Sequence, residues 1–340
     1  MLKHRKKEDK KDHKKKSHSL IDSPRKRLFL FILGGWLLLL LSNQVDEFSL
    51  YQGAFVATYA VGIASIILLT GYSGQLSLGH GALMAVGAYA GALTINNLKW
   101  HPVVALVMAT LIAGLFGLLL GAAVARFSGP YLAGTTLALA ISLPSLANQF
   151  PILGGQQGLI FDVGATPARF GDEFSPYKWF FWIAALAALI IIWFVANIAA
   201  SRFGRTFRAM RDNPIAAQLS GVNVARQKVT AFAISSGVAG LSGGLLVMLI
   251  TGVSPSAFPL SLSLLLLSGA VVTGLYNLKG VILGGLVLVV IPEIAESLVT
   301  RIGGSENLAI SLPGFLVSAL LILAVMFTPN GPEHIFKRKH

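Results

Sequence analysis

A succession of apolar runs, each close to the ~20 residues a helix needs to cross a bilayer, decides what this chain can fold into. Ten such runs lie at 28–42, 50–70, 79–96, 102–125, 131–150, 178–199, 229–250, 261–277, 280–300 and 308–328. Too little polar sequence separates them for a soluble domain to fit between. Charged residues make up 12% of the 340 and hydrophobic ones 54%, whereas a soluble domain carries about 25% charged residues. The expected fold class is therefore an all-α polytopic membrane protein with about ten transmembrane helices.

Charge sets the expected orientation. The segment 1–27 holds 12 Lys and Arg against Glu8, Asp9, Asp12 and Asp22, which is +8 of the net +13. Most of the excess is thus confined to one low-complexity tail, which argues against a nucleic-acid partner. The tail reads as disordered and cytoplasmic, topogenic or in contact with anionic membrane lipid. Leu28 to Leu41 has the length of a signal-peptide core, but no Ala-x-Ala-like site follows it, so it is expected to remain as an anchor. With the N-terminus inside, the segments 71–78, 126–130, 200–228, 278–279 and 329–340 are also inside. Without the tail, Lys and Arg divide 11 inside to 4 outside, as membrane topology favours. Both termini are then cytoplasmic, and ten spans satisfy the parity. The expected domains are the tail 1–27, a transmembrane permease domain 28–328 with a cytoplasmic coupling loop at 200–228, and a cytoplasmic tail 329–340.

The loop between the sixth and seventh runs is basic and polar. Arg202, Arg205, Arg208 and Arg211 recur every third residue, and Asp212-Asn213-Pro214 follows them. That triplet starts a short helix, because proline loses nothing at a first helical position; Gly221 is placed to end it. A short helix projecting from the basic side of a membrane protein can dock a soluble partner.

Two other segments interrupt helical sequence. Gly71-Tyr-Ser-Gly-Gln-Leu-Ser-Leu-Gly-His-Gly81 carries four glycines in its eleven residues, each of which weakens a helix interior by roughly 1 kcal/mol. Irregular backbone at membrane depth survives where it lines a cavity or is buried in protein, and its free N–H and C=O groups can meet a zwitterion. Thr251-Gly-Val-Ser-Pro-Ser-Ala-Phe-Pro259 is its counterpart in the second half. One break falls at the inner end and the other at the outer end, so spans 2–5 and 7–10 are possible inverted repeats. Either break also reads simply as a surface turn. Gly87/Gly91, Gly117/Gly121, Gly240/Gly244 and Gly280/Gly284 are spaced for close helix approach.

Several chemistries lack their residues. There is no cysteine, no Gly-x-x-x-x-Gly-Lys-Ser/Thr phosphate loop and no His-Glu-x-x-His, so the chain is not expected to be an enzyme or to carry a metal or cofactor. Glu293 and Glu296 are the only acids inside the apolar runs, toward the outer end of the ninth, where they mark an external mouth or pair with Arg301. An ion- or proton-coupled carrier often needs carboxylates nearer the bilayer centre. His80 lies in the first break and could hydrogen-bond a substrate carboxylate, or simply serve the helix start.

The residues of the first break, Gly71 through Tyr89, closely resemble the signature of LivM-type branched-chain amino acid ABC transporter permeases. The likeness continues through Gly129-Pro-Tyr-Leu-Ala-Gly-Thr-Thr-Leu-Ala-Leu-Ala140, Arg202 to Ala217, Gly221-Val-Asn-Val, Val253-Ser-Pro and Phe327-Thr-Pro-Asn-Gly331. It implies a permease subunit, in a bacterial plasma membrane, of an ATP-driven importer for branched-chain or related hydrophobic amino acids. The implied partners are a second, related permease, two cytoplasmic ATP-binding subunits and an extracytoplasmic substrate-binding protein. Ala216-Ala217-x-x-x-Gly221 resembles the core of the loop that grips the ATPase, with Ile215 where many permeases have glutamate. ATPase coupling is accordingly expected at Arg208, Asp212, Asn213, Ala216, Ala217 and Gly221. The translocation pathway is expected at Ser73, Gly74, Gln75, Ser77, Gly79 and His80. The rival expectation is an ion- or proton-coupled transporter or channel working without an ATPase.

Overall fold

Helices α1 (Pro24–Leu41), α2 (Glu47–Ile66), α3 (His80–Asn96), α4 (Pro102–Val124), α5 (Pro130–Gln149) and α6 (Pro176–Ala200) form the first part of a computed structural model of the chain. Two short helices, α7 (Arg202–Asp212) and α8 (Pro214–Leu219), then lead to α9 (Val224–Ile250), α10 (Leu260–Thr273) and α11 (Val281–Arg301). The structure describes residues 24–127, 129–163, 170, 174–301 and, further on, 311, 312, 314–316, 318, 319, 322, 323 and 326. The tail before residue 24, the tail 329–340 and much of the run 308–328 lie outside the described residues.

Starts are marked as the side chains dictate. Proline occupies the first turn of α4, α5, α6 and α8, and Asp46 caps α2 by accepting from the Ser49 N–H. Seven described helices are long and apolar enough to cross a membrane, and the protein is an all-α polytopic membrane protein. The boundaries correct several sequence expectations. The first helix begins at Pro24, so residues 24–27 form its first turn rather than the end of the tail. The seventh run begins at Val224, because the Asn223 side chain accepts from the Arg226 N–H and caps a helix that takes in Arg226 and Lys228. The loop 200–228 is therefore mostly helical.

Among the described helices of the apolar runs, those of the third and eighth are shortest. At 17 and 14 residues, α3 and α10 span about 25 and about 21 Å, less than the ~30 Å hydrocarbon core. Irregular backbone precedes each of them. The two helices start beside one another, where the Gly81 N–H donates to Ser263 Oγ at 2.9 Å.

Helices α2 and α9 form the buried centre of the protein. Two serines of α9 tie them together: Ser242 Oγ donates to Thr58 O at 2.7 Å and Ser235 Oγ to Ser65 O at 2.8 Å. These bonds lie seven residues apart on both helices, two turns of an antiparallel pair. The small residues of α9 admit its neighbours, since a Cβ at Gly87 would run into the Gly240 backbone and one at Gly117 into Ser236. Packing is paired across the molecule: α9 lies on α3 and α4 as α2 lies on α10 and α11, and α3 meets α4 as α10 meets α11.

The only strands among the described residues are β1 (Leu159–Ile160) and β2 (Gly252–Val253), antiparallel with Leu159 opposite Val253. Thus the Gly-rich loop after α5 straps the second break. The Phe161 N–H extends it to Thr251 O at 3.3 Å. At the same end Gln52 Nε2 donates to Glu293, so this acid is held by the second span.

Candidate coupling site and first membrane break

The basic stretch folds into two helices at a sharp corner. Ser201 caps α7 by accepting from the Phe203 N–H, and Phe207 and Met210 turn inward and are buried. Asn213 breaks the helix with extended backbone, φ −155° and ψ 99°, and its Oδ1 accepts from the N–H groups of Ile215 and Ala216 at 3.1 and 3.0 Å. Pro214 follows at the first helical position. Gly221 closes α8 with φ +84°, a left-handed conformation that L side chains rarely adopt. The Val222 N–H reaches back to Ala217 O at 3.0 Å, as in a Schellman ending. Helix, start and stop all fall where the sequence placed them.

The expected coupling residues divide in two. Asp212, Asn213, Ala216 and Gly221 are exposed and Arg208 is half-buried, whereas Ala217 faces inward and is buried. The exposed face also presents two residues that residue-type reasoning did not select: Ile215 at 68% and Leu219 at 87% exposure. Their spacing of four puts them on one face of the short helix, and that spacing was the available signal. Arg211 was likewise passed over. Its Nη1 donates to Gly71 O at 2.9 Å, its Nε bonds Asp212 Oδ1 at 2.8 Å, and its Cζ lies 4.7 Å from the centre of the Tyr276 ring.

The first break lies directly above this corner. A π-type turn, Ile67–Tyr72, extends α2, and irregular backbone then runs to α3. Ser73, Gln75, Ser77 and His80 are buried, Gly79 is buried and Gly74 exposed. Ser73 Oγ donates to Leu69 O at 2.6 Å; Gln75 Nε2 donates to Ser73 Oγ at 2.9 Å and to Lys228 O at 3.3 Å. Ser77 Oγ accepts from the Gly79 N–H at 3.4 Å, and the Leu78 N–H donates to Thr136 Oγ1 at 3.0 Å. His80 Nε2 lies 3.0 Å from Ser235 Oγ, while its Nδ1 is buried without a partner in the chain. The structure therefore brings all six expected pathway residues together, on a segment stitched to α5 and α9. A Cβ at Gly71 would collide with Leu275 O, so the C-terminal ends of the second and eighth runs meet backbone to backbone. Among the described residues no group of three His, Asp or Glu side chains is placed to hold a metal ion.

Comparison with known proteins gives a consistent result. Residues 47–325 match the family described as the permease component of branched-chain amino acid transport systems. The high-affinity branched-chain amino acid transport system permease protein LivM of Escherichia coli (strain K12) is 31% identical over 288 residues, covering 78% of this chain and 65% of that protein. This chain thus spans just under two thirds of that relative's length. The probable LivM of Methanocaldococcus jannaschii is 25% identical, covering 76% of this chain and 77% of that protein. The LivH permease of Escherichia coli (strain K12) is 24% identical, covering 81% and 91%. No solved structure matches.

Proposed function

The chain belongs to the family of branched-chain amino acid transport system permease components, and from that premise we propose that it is the membrane subunit of an ATP-driven importer. It is a multi-pass protein of the inner membrane, built to conduct a solute rather than to catalyse a reaction. The cargo in this reading is a branched-chain or related hydrophobic amino acid. A second, related permease, two cytoplasmic ATP-binding subunits and an extracytoplasmic binding protein complete the machine, the tail 1–27 meeting anionic lipid. Ten spans place both termini inside, and the paired packing of α2 with α10 and α11, and of α9 with α3 and α4, supports inverted repeats of spans 2–5 and 7–10.

The observation that carries the reading is α8 itself. A six-residue helix, capped at both ends, stands between two longer helices at the basic end of the molecule and exposes Ile215 and Leu219. Large apolar side chains at such exposure in a polar segment mark a contact surface. Arg208, Asp212, Asn213, Ala216 and Gly221 surround or shape that surface, while Ala217 seats the helix on the membrane domain. Cycles of ATP binding in the partner move α8, and spans 2 and 8 part. Ser73, Gly74, Gln75, Ser77, Gly79 and His80 then line the opened path.

Replacing Gly221→Trp tests this directly. The left-handed backbone at Gly221 strains any side chain, and nothing lies within 4 Å of a Cβ there, so the substitution distorts the docking face without its first atom striking a packed neighbour. Uptake by the assembled transporter should be lost while the protein remains in the membrane. Unchanged uptake contradicts the docking assignment.

A further inference from the structure

We propose that Arg211 is a pin that carries motion of the docking helix to the inner gate, by tying the end of α7 to the last turn of the second span and to the loop after α10. The proposal rests on the transport reading above and adds to it a positioning residue outside the docking face and the path.

Three elements converge on this guanidinium. Nη1 donates to Gly71 O at 2.9 Å, in the last turn of the long helix Glu47–Tyr72. Carbonyls at that end lack intrahelical partners and carry the negative end of the helix dipole, so a cation there is favoured. The other face of the guanidinium lies 4.7 Å from the Tyr276 ring centre, on the loop after α10. Asp212 holds the fork in position through Nε and Nη2, both at 2.8 Å. Asp212 adjoins Arg211 in sequence and is 65% exposed, so it orients the fork, and the bonds that cross between elements go to Gly71 and Tyr276. Only a planar, permanently charged fork can donate in its plane and stack on a ring at once; an ammonium cannot.

The neighbouring glycines are shaped to this contact. Gly74 has φ +72°, and a Cβ on it would lie 2.6 Å from Arg211 Cγ, so the arginine stem rests on bare backbone. The missing side chain of Gly71 admits Leu275 O. Gly71, Gly74, Arg211 and Tyr276 therefore close the inner ends of spans 2 and 8 as one unit. The link to the docking helix has no slack, since only Asp212 and the extended Asn213 separate Arg211 from Pro214. A displacement of α8 reaches Arg211 before any other residue that touches the gate. The fork is either engaged on Gly71 O or withdrawn from it, which supplies the two discrete arrangements that coupling needs.

The natural chain has no cysteine, so gate opening can be read on a single introduced thiol. In the full chain assembled with its partners, Leu275→Cys is labelled with a charged maleimide in permeabilised membranes, with and without Arg211→Ala or Arg211→Lys. Loss of a charge-assisted bond should speed labelling about tenfold in both arginine variants. In parallel, Arg211→Ala should abolish uptake while ATP hydrolysis continues. Labelling at the same rate with and without the arginine overturns the pin. If no ATP-dependent uptake occurs even with Arg211 in place, the transport reading fails while the labelling comparison still judges the pin. Should Arg211→Ala not accumulate in the membrane, Arg211→Lys, which keeps charge and length, decides by the same rate comparison.

Discussion

Gly243 and Gly134 are both helical glycines, yet a methyl group would meet opposite receptions at the two. A Cβ at Gly243 would strike the Met84 backbone carbonyl, whereas nothing lies within 4 Å of one at Gly134. Overpacking costs about 1–3 kcal/mol, while alanine gains up to about 1 kcal/mol of helix propensity over glycine. Gly243→Ala should therefore lower the melting temperature of the purified protein in detergent, and Gly134→Ala should hold or raise it. Ser235 offers a second case, since its hydroxyl lies between His80 Nε2 and Ser65 O. Ser235→Ala removes a buried hydroxyl that serves both contacts and should cost about 1–3 kcal/mol, measured by the same melting comparison. The Gly240/Gly244 spacing of α9 was legible in the sequence as a surface for close approach, but which helices it admits was not. Arg211 was illegible for a different reason. Steps of three residues drift by about 60° around a helix, so four arginines that look equivalent as a string end on opposite sides. Arg202 and Arg205 are exposed while Arg208 and Arg211 are half-buried.

The short helix α8 announced itself through local chemistry, because cap, proline and glycine each act within a few residues of where they stand. Its stability rests heavily on that chemistry, as six residues form few internal bonds. Asn213→Ala removes the acceptor for two N–H groups, at a cost of about 1 kcal/mol, and should reduce uptake without lowering the amount of protein in the membrane. Quantitative uptake against membrane content checks this. The breaks around α3 and α10 were legible as irregular, but their partners were not, since pairing between β1 and β2 links segments some ninety positions apart and leaves no local trace. A Leu159→Cys, Val253→Cys double variant tests that strap. The two positions face one another in the ladder and should cross-link readily under mild oxidation; free thiols after such treatment would contradict it.

At the scale of the molecule, the sequence carried the membrane class and the arrangement of polar segments through a physical constraint that acts on every residue: backbone must be satisfied within lipid. It carried some span bounds less well: the seventh run begins early, at Val224, where Asn223 caps it, and the eighth stops as a helix at Thr273 rather than 277. In the proposed reading the molecule is a conduit closed at its inner end, where Gly71 meets Leu275, with its lever, α7 and α8, beside that closure. The central claim is that the chain conducts solute only when an ATPase works this lever. Proteoliposome uptake of radiolabelled leucine tests it most directly, comparing the purified chain alone, under sodium and proton gradients, with the chain assembled with its second permease, ATP-binding subunits and binding protein. The account predicts accumulation only in the assembly and only with ATP; gradient-driven accumulation by the chain alone would contradict it.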